Sequence, residues 1–310
     1  MRRLTGGDLR FAVSNLLVDR TTSRVSEAFD AADIPHILLK GPSIGDWLYS
    51  RDEVRPYHDS DFLVAHADWE RAIDVLQELG FRDRLAAMGH PRMESLHSYP
   101  WRHDHPEYAD IDLHATLDGL NADSHEVWAT LSVGTVALRV ARRDVTVLSP
   151  AGRALHIALH AAQHRQGHPL EDLGRALEQL SAPTWARAAQ LAARLDGTAA
   201  FASGLCTLSA GEKLARRLGV AGVSSTETSL RAAEVPLAEG LHALLSAPSL
   251  RARLGLLRRE VFPSPAFLRW WTPLARSGAL GLLAAYAWRP CYLLLRLPRA
   301  ALALRAALRG

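Results

Sequence analysis

Asp59 and Asp61 stand two residues apart in His58-Asp59-Ser60-Asp61-Phe62-Leu63-Val64, a run whose apolar end reads as a strand. Alternate residues of a strand share a face, so these two carboxylates project side by side. Like charges that close repel unless a cation lies between them, and oxygen-only ligands suit magnesium. An Asp-x-Asp triplet alone is common and mostly ends on solvated surface. A second acidic strand adds weight: in Tyr108-Ala109-Asp110-Ile111-Asp112-Leu113-His114, Asp110, Asp112 and His114 share one face while Ile111 and Leu113 fill the other. If the two strands are neighbours, Asp112 joins Asp59 and Asp61. Three carboxylates so placed can hold two magnesium ions at the attacking and leaving oxygens of an in-line phosphoryl displacement.

Such chemistry needs a grip on phosphate, and Lys40-Gly41-Pro42-Ser43 lies where an apolar strand turns into a helix. Backbone N–H groups at that helix start, with the Ser43 hydroxyl, are placed to hold phosphate oxygens, and Lys40 and Arg55 add positive charge. Lysine is rare here: of 36 basic side chains only Lys40 and Lys213 are not arginine. An ammonium in a tight site is not equivalent to a guanidinium, which singles Lys40 out.

The elements that must position these groups follow from periodicity. Residues 8 to 32 carry Leu9, Leu16, Leu17, Val25 and Phe29 at helical spacing and predict one or two amphipathic helices. Ile34 to Lys40 predicts a buried strand, followed by a helix over roughly 43 to 50. After the Asp59 strand, Asp68 is the expected cap of a helix that Gly80 stops. Leu96 to Trp101 and Tyr108 to Thr116 predict a hairpin, and Thr135 to Val140 with Val145 to Leu148 another. Ser149-Pro150 then announces a helix, with serine at the N-cap and proline at its first position, and alanine, leucine and arginine dominate from there on. The expected organisation is α+β: an α/β domain over 1–149 with a small mixed sheet, then an all-helical domain over 150–310 with a basic amphipathic tail.

The order of parts, Gly-x-Ser on a strand-helix turn, Asp-x-Asp on the next strand, and one more Asp on a later strand, is similar to that of polymerase-beta-type nucleotidyltransferases. More narrowly, Leu38-Leu39-Lys40-Gly41, Arg55-Pro56 ahead of Asp59-Ser60-Asp61-Phe62-Leu63-Val64, and Asp112-Leu113-His114 resemble the largely uncharacterised bacterial nucleotidyltransferase family proteins. The match is specific over about residues 34 to 116; Leu155 to His164 and Glu171-Asp172-Leu173 resemble the start of that group's helical region. The resemblance implies that Asp59 and Asp61 bind the metals carrying a nucleoside triphosphate. It implies that Asp112 binds the catalytic metal and helps deprotonate the acceptor, and that Lys40, Gly41, Ser43 and Arg55 handle phosphates. It implies two Mg2+ ions, NTP as co-substrate, and transfer of an NMP, with AMP the expected group, to a hydroxyl or phosphate on a small molecule, peptide or protein. Ser60 departs from the pattern, replacing the apolar residue usual between the aspartates, and Ala115-Thr116 stands where an aromatic is common.

Other features carry less. His156, His160 and His164 recur every four residues along one helix face, but Gln163 occupies the position where a zinc protease places glutamate, so a cleft-facing or hydrogen-bonded core role is the expectation. Cys206 and Cys291 have no metal-ligand spacing, no apolar leader core follows Met1-Arg2-Arg3, and a reducing cytoplasm is expected. From Arg251 onward eleven arginines face the single acid Glu260, so that segment carries +10. The apolar stretch Gly278 to Trp288 is expected to be cut off by Arg289-Pro290, short of a membrane span. The tail is expected to pack on the catalytic domain, with peripheral membrane contact through 264–310 the less favoured reading. The alternative to an enzyme is a silent nucleotide- or nucleic-acid-binding protein, and the leucine-rich tail, poor in stacking groups, argues against nucleic acid. The acceptor, the base of the NTP and the oligomeric state are not encoded in any recognisable residue.

Overall fold

The computed structural model describes residues 6–50, 52–87, 98–164, 166–233 and 235–309. The chain forms two compact units, residues 1–84 with 95–223, and residues 85–94 with 224–310. In chain order the first holds α1 (Gly6–Ala31), β1 (His36–Leu38), α2 (Pro42–Leu48), β2 (Asp59–Val64), α3 (Trp69–Glu78) and β3 (Phe81–Asp83). A single turn, α4 (Arg84–Ala87), follows. The first unit resumes with β4 (Tyr99–His103), β5 (Asp110–His114), α5 (Ser124–Leu131), β6 (Val136–Val140) and β7 (Arg143–Val147). It closes with α6 (Pro150–Gln163), α7 (His168–Gln179), α8 (Ala182–Arg194), α9 (Thr198–Leu205) and α10 (Ser209–Arg217).

The strands form one mixed sheet in the order β3-β4-β5-β2-β1-β7-β6. Both expected hairpins are present as antiparallel pairs, β4 with β5 and β6 with β7. Leu96 and His97, the expected start of the first, lie outside the described residues. Alternation along the strands divides the core. Phe62 and Val64 of β2 and Ile111 and Leu113 of β5 meet Val25 and Phe29 of α1 and Ile73 and Leu76 of α3 on one face. On the other, Ile37 and Leu63 join Leu155 and Leu159 of α6, Trp185 of α8 and Phe201 of α9. Strands give way to helices at Ser149-Pro150, where the Ser149 hydroxyl accepts from Gly152 N at 3.1 Å. The helices that follow, as far as α10, share this second core with the sheet. Gly204 of α9 makes that closeness possible, since a Cβ there would lie 1.8 Å from the Ala158 carbonyl oxygen of α6.

Two local expectations are corrected. Leu16 does not line the buried face of α1; it is 67% exposed, and the inward row is Val18, Thr21, Thr22, Val25, Ser26 and Phe29. Its polar members are satisfied: the Thr22 and Ser60 hydroxyls pair at 2.5 Å and Thr21 Oγ1 accepts from Ala109 N at 2.9 Å. This pairing is why serine serves between the two aspartates where an apolar residue is usual. Asp68 precedes α3 but does not cap it with its side chain, which binds Arg71 of that helix's first turn at 2.5 Å.

The second unit comprises α11 (Thr226–Ala232), α12 (Pro236–Ser246), α13 (Leu250–Val261), α14 (Pro265–Trp271) and α15 (Gly278–Ala307). Arg289-Pro290 does not end the last helix; α15 runs on for 30 residues through Pro290 and Pro298. A helix-interior proline costs about 3 kcal/mol. Tertiary ties offset it here: Arg289 bonds both the backbone oxygen and the carboxylate of Glu260, at 3.1 and 3.2 Å, and lies over Trp271. Tyr286 Oη donates to Pro263 O at 2.8 Å. By length and composition alone α15 is long and apolar enough to cross a membrane.

Candidate functional site

β2 and β5 pair in parallel, setting Asp59 opposite Asp110 and Asp61 opposite Asp112. Asp59, Asp61, Asp112 and His114 therefore occupy the sheet face covered by α6, beside Leu63, with Phe62, Val64, Ile111 and Leu113 on the α1 side. Asp61 is fully buried, and its Oδ1 accepts from Lys40 Nζ at 2.8 Å and from His114 Nε2 at 3.1 Å. Its Oδ2 is buried with no hydrogen-bond partner among the described residues. Ligand atoms of Asp61, Asp112 and His114 lie within 4.8 Å of one another. Asp110, at the solvent end of β5, lies instead 3.8 Å from Arg84.

The carboxylates do not share their charge equally. Burial, then the charges of Asp61 and Asp112, push Asp59 up to about 6. Burial and Asp61 likewise raise Asp112, against a hydrogen bond from Ser98. Burial also acts to raise Asp61, but the Lys40 ammonium and the His114 hydrogen bond more than offset it and hold this carboxyl far below the usual range. Burial acts to lower Lys40, and Asp61 reverses the sign and raises it. One carboxylate is thus firmly ionised while its neighbours ionise reluctantly. A hard divalent cation relieves that frustration, and the unpartnered Asp61 Oδ2 with Asp59 and Asp112 supplies the oxygen donors it prefers. These residues fit magnesium. His114, a nitrogen donor already bonded to Asp61, suits the role of orienting that carboxylate. It was readable from the alternation of β5, but nothing in the sequence shows that its ring reaches across to the neighbouring strand.

The turn from Lys40 to Ser43 has some of the expected features and lacks others. Gly41 has φ +62° and ψ −121°, a conformation that side chains strongly disfavour. The Ser43 hydroxyl is buried and unpartnered among the described residues. The backbone amides expected to grip phosphate are engaged: Ser43 N donates to Lys40 O at 3.3 Å, Ile44 N to Gly41 O at 3.2 Å and Gly45 N to Gly41 O at 3.0 Å. Lys40 is spent on Asp61. Arg55 is also committed, its Nε and Nη2 donating to the two oxygens of Asp172 at 2.8 and 2.6 Å, with both residues buried. Tyr49 Oη donates to the same Asp172 Oδ1 at 2.8 Å, and Arg175 binds both Glu53 oxygens while stacking on Tyr49. From the other side Asn15 of α1 clamps the loop, donating to Arg55 O at 2.8 Å and accepting from Tyr57 N at 3.2 Å. Arg55 therefore fastens the segment leading into β2 to α7. Asp172, over a hundred residues away in the chain, carried no signal of this.

His156 is buried behind the carboxylates, hydrogen-bonded to the Leu39 backbone, and burial with the Lys40 charge pushes it down to about 3. His160 is lowered well below the ordinary range for the same first two reasons, and His164 is lowered less. His156 takes the hydrogen-bonded core role, one of the two expected for the three histidines, and no metal-ligand group among the described residues includes them.

Among solved structures the chain is similar to the antibiotic-resistance factor ANT(2'')-Ia, at 15% identity and TM-score 0.42, with 57% of this chain and 91% of that one covered. It is also similar to the lincosamide antibiotic adenylyltransferase LnuA in its lincomycin-bound form, at 14% identity and TM-score 0.35, covering 58% and 100%. A third is an antigenic nucleotidyltransferase-like protein from Paracoccidioides brasiliensis, at 13% identity and TM-score 0.34, covering 59% and 91%. Comparison with curated proteins gives no match. Residues 2–210, which contain the whole sheet, Asp59, Asp61 and Asp112, and the helices as far as α9, match the family described as uncharacterised nucleotidyltransferase. The chain belongs to that nucleotidyltransferase family.

Proposed function

We propose that the chain transfers a nucleoside monophosphate, AMP the expected group, from a nucleoside triphosphate to a hydroxyl or phosphate oxygen of a small molecule, peptide or protein. The observation that carries this is Asp61, whose buried Oδ2 has no hydrogen-bond partner among the described residues and which stands in parallel register with Asp112, two residues from Asp59 on its own strand. Asp59, Asp61 and Asp112 would hold magnesium, which when bound neutralises charge on the transferring phosphoryl group. The acceptor oxygen attacks the α-phosphorus, the bond to the bridging oxygen breaks, and pyrophosphate leaves with that electron pair. Asp112 is the carboxylate assigned to take the acceptor's proton, as the resemblance to the family implies. Lys40 and His114 fix Asp61 in one rotamer, so the ligand oxygens are arranged before substrate arrives. Ser43 offers an unused hydroxyl to a phosphate oxygen, and the tie between Arg55 and Asp172 holds the approach to β2 rigid.

Calorimetric titration with each NTP in magnesium tests the site. Magnesium-dependent binding of one NTP, lost in Asp59→Asn/Asp61→Asn, is expected. Turnover is read as pyrophosphate release against candidate acceptors, and Asp112→Asn should lower kcat by a factor of about 100 or more while binding survives. Undiminished activity of Asp112→Asn would remove the proposal.

A further inference from the structure

The last helix of the second unit presents its apolar side to solvent. Leu280, Leu283, Ala287, Leu294, Leu295 and Leu302 fall within an arc of about 120° at the helical turn of roughly 100° per residue, and therefore lie along one side of α15. All are exposed, Leu280 at 81% and Leu295 at 72%. No charged residue interrupts that side over about 33 Å of helix at 1.5 Å per residue, until Arg305 and Arg309 end it. The opposite side is the packed one, with Arg289 held by Glu260 and aromatic rings, and Ala300 and Leu304 against Leu230 and Ala238. A soluble unit would reverse this arrangement. An apolar strip of this size marks a contact surface.

The charge around it selects the partner. From Arg251 to the end there are eleven arginines and one acid. Arg296 and Arg299 are exposed and have no carboxylate partner among the described residues, and Arg296 lies 4.5 Å over Tyr292. Trp270 and Trp288, 60% and 46% exposed, add the amphipathic rings that settle at headgroup level. A second copy meeting this face would bring arginine against arginine, whereas a lipid headgroup layer neutralises them. Beside α15 an apolar cavity of about 410 Å³ lies between α12, α13 and α15, and Leu237, Gly240 and Leu293 also border the neighbouring hollow that Arg296 and Arg299 line. The apolar hollow and the one lined by arginines are therefore contiguous, with Glu260, paired to Arg289, bordering both.

We infer that the second unit docks on the surface of an anionic phospholipid membrane, with the strip of α15 lying among the acyl chains and the arginines on headgroup phosphates. The inference does not rest on nucleotidyl transfer. The intact chain would be sedimented with vesicles of phosphatidylcholine alone or mixed with phosphatidylglycerol. Binding to the mixed vesicles only is expected, weakened about tenfold or more by Leu294→Ser/Leu295→Ser and by Arg296→Gln/Arg299→Gln, and reduced at high salt. Unchanged thermal unfolding of these exposed-site variants would show that the fold is not the cause. Failure to sediment with either vesicle overturns the inference. So does equal binding to neutral vesicles, retention on membranes through alkaline carbonate, which marks a spanning helix, or a concentration-dependent dimer abolished by the leucine substitutions.

Discussion

Asp172→Ala removes the only described carboxylate that Arg55 binds. The pair is bidentate, at 2.8 and 2.6 Å, and the residues are 6% and 2% exposed, so water does not replace the missing partner. Replacing such a pair by apolar residues is often near neutral, but breaking it from one side leaves a buried charge and costs about 3–5 kcal/mol. The Tyr49 hydroxyl loses its acceptor as well, adding about 1 kcal/mol. Against a total of roughly 5–15 kcal/mol for a folded domain, this is a large fraction. Urea unfolding followed by circular dichroism should show the midpoint fall with an unchanged slope. Arg55→Met/Asp172→Leu should recover most of the loss, giving a strongly non-additive cycle. Because Arg55 lies four residues before Asp59, the single variant should also weaken magnesium-dependent NTP binding more than the double variant does. A cost below about 1 kcal/mol for Asp172→Ala, or a double variant as unstable as the single one, would refute a buried and uncompensated charge as the cause.

Four further outcomes are expected. Lys40→Met leaves Asp61 ionised among carboxylates without its closest cation, so the metal-free protein should melt lower and magnesium should restore more stability than in the wild type; unchanged melting with only NTP affinity lost would assign Lys40 to phosphate instead. His156 is pushed down to about 3 by burial, below its ordinary value, so the unfolded chain binds the extra proton and stability falls as pH drops from about 6.5 towards 3. That amounts to about 2 kcal/mol by pH 5, and His156→Gln should flatten that part of the urea-midpoint profile relative to wild type. Ser60→Ala should cost about 1–2 kcal/mol by stranding the Thr22 hydroxyl, and Thr22→Val/Ser60→Ala should cost less, as read in the same unfolding assay. Gly204→Ala forces a methyl into the Ala158 carbonyl of α6 and should cost about 3 kcal/mol or more in thermal unfolding.

The parts legible in the sequence were those governed by local periodicity. Alternation over 108 to 114 puts Asp112 and His114 on one face whatever the strand's neighbours, and Ser149-Pro150 starts a helix by its own capping chemistry. The parts not legible depend on partners distant in the chain. Arg55 reads as a free cation until Asp172 is placed against it, and the amides after Gly41 read as donors until the turn closes on Lys40 and Gly41 carbonyls. Ser60 reads as a packing fault until Thr22 faces it. Pro290 reads as a helix end because proline propensity is local, whereas the contacts of Arg289 that override it come from α13 and α14.

The same distinction explains how the site is built. Three acidic residues on one face are frustrated by their own charge, and the fold answers with one internal cation, Lys40, on one oxygen of one carboxylate. Had the chain supplied a cation to each carboxylate, the sheet would be more stable and the site inert, since no oxygen would remain for an ion. Leaving Asp61 Oδ2 without a partner among the described residues and Asp59 and Asp112 raised keeps an energetic deficit in the ionised site that an added cation, or a proton, removes. That deficit is tolerable because the surroundings are over-determined: the strands are fixed in register, the loop before β2 is clamped by Asn15 and Asp172, and the residue between the aspartates is hydrogen-bonded to α1. Rigidity around the carboxylates and frustration among them are one design, in which the distant ion pair supplies the first so that the acidic strands can keep the second.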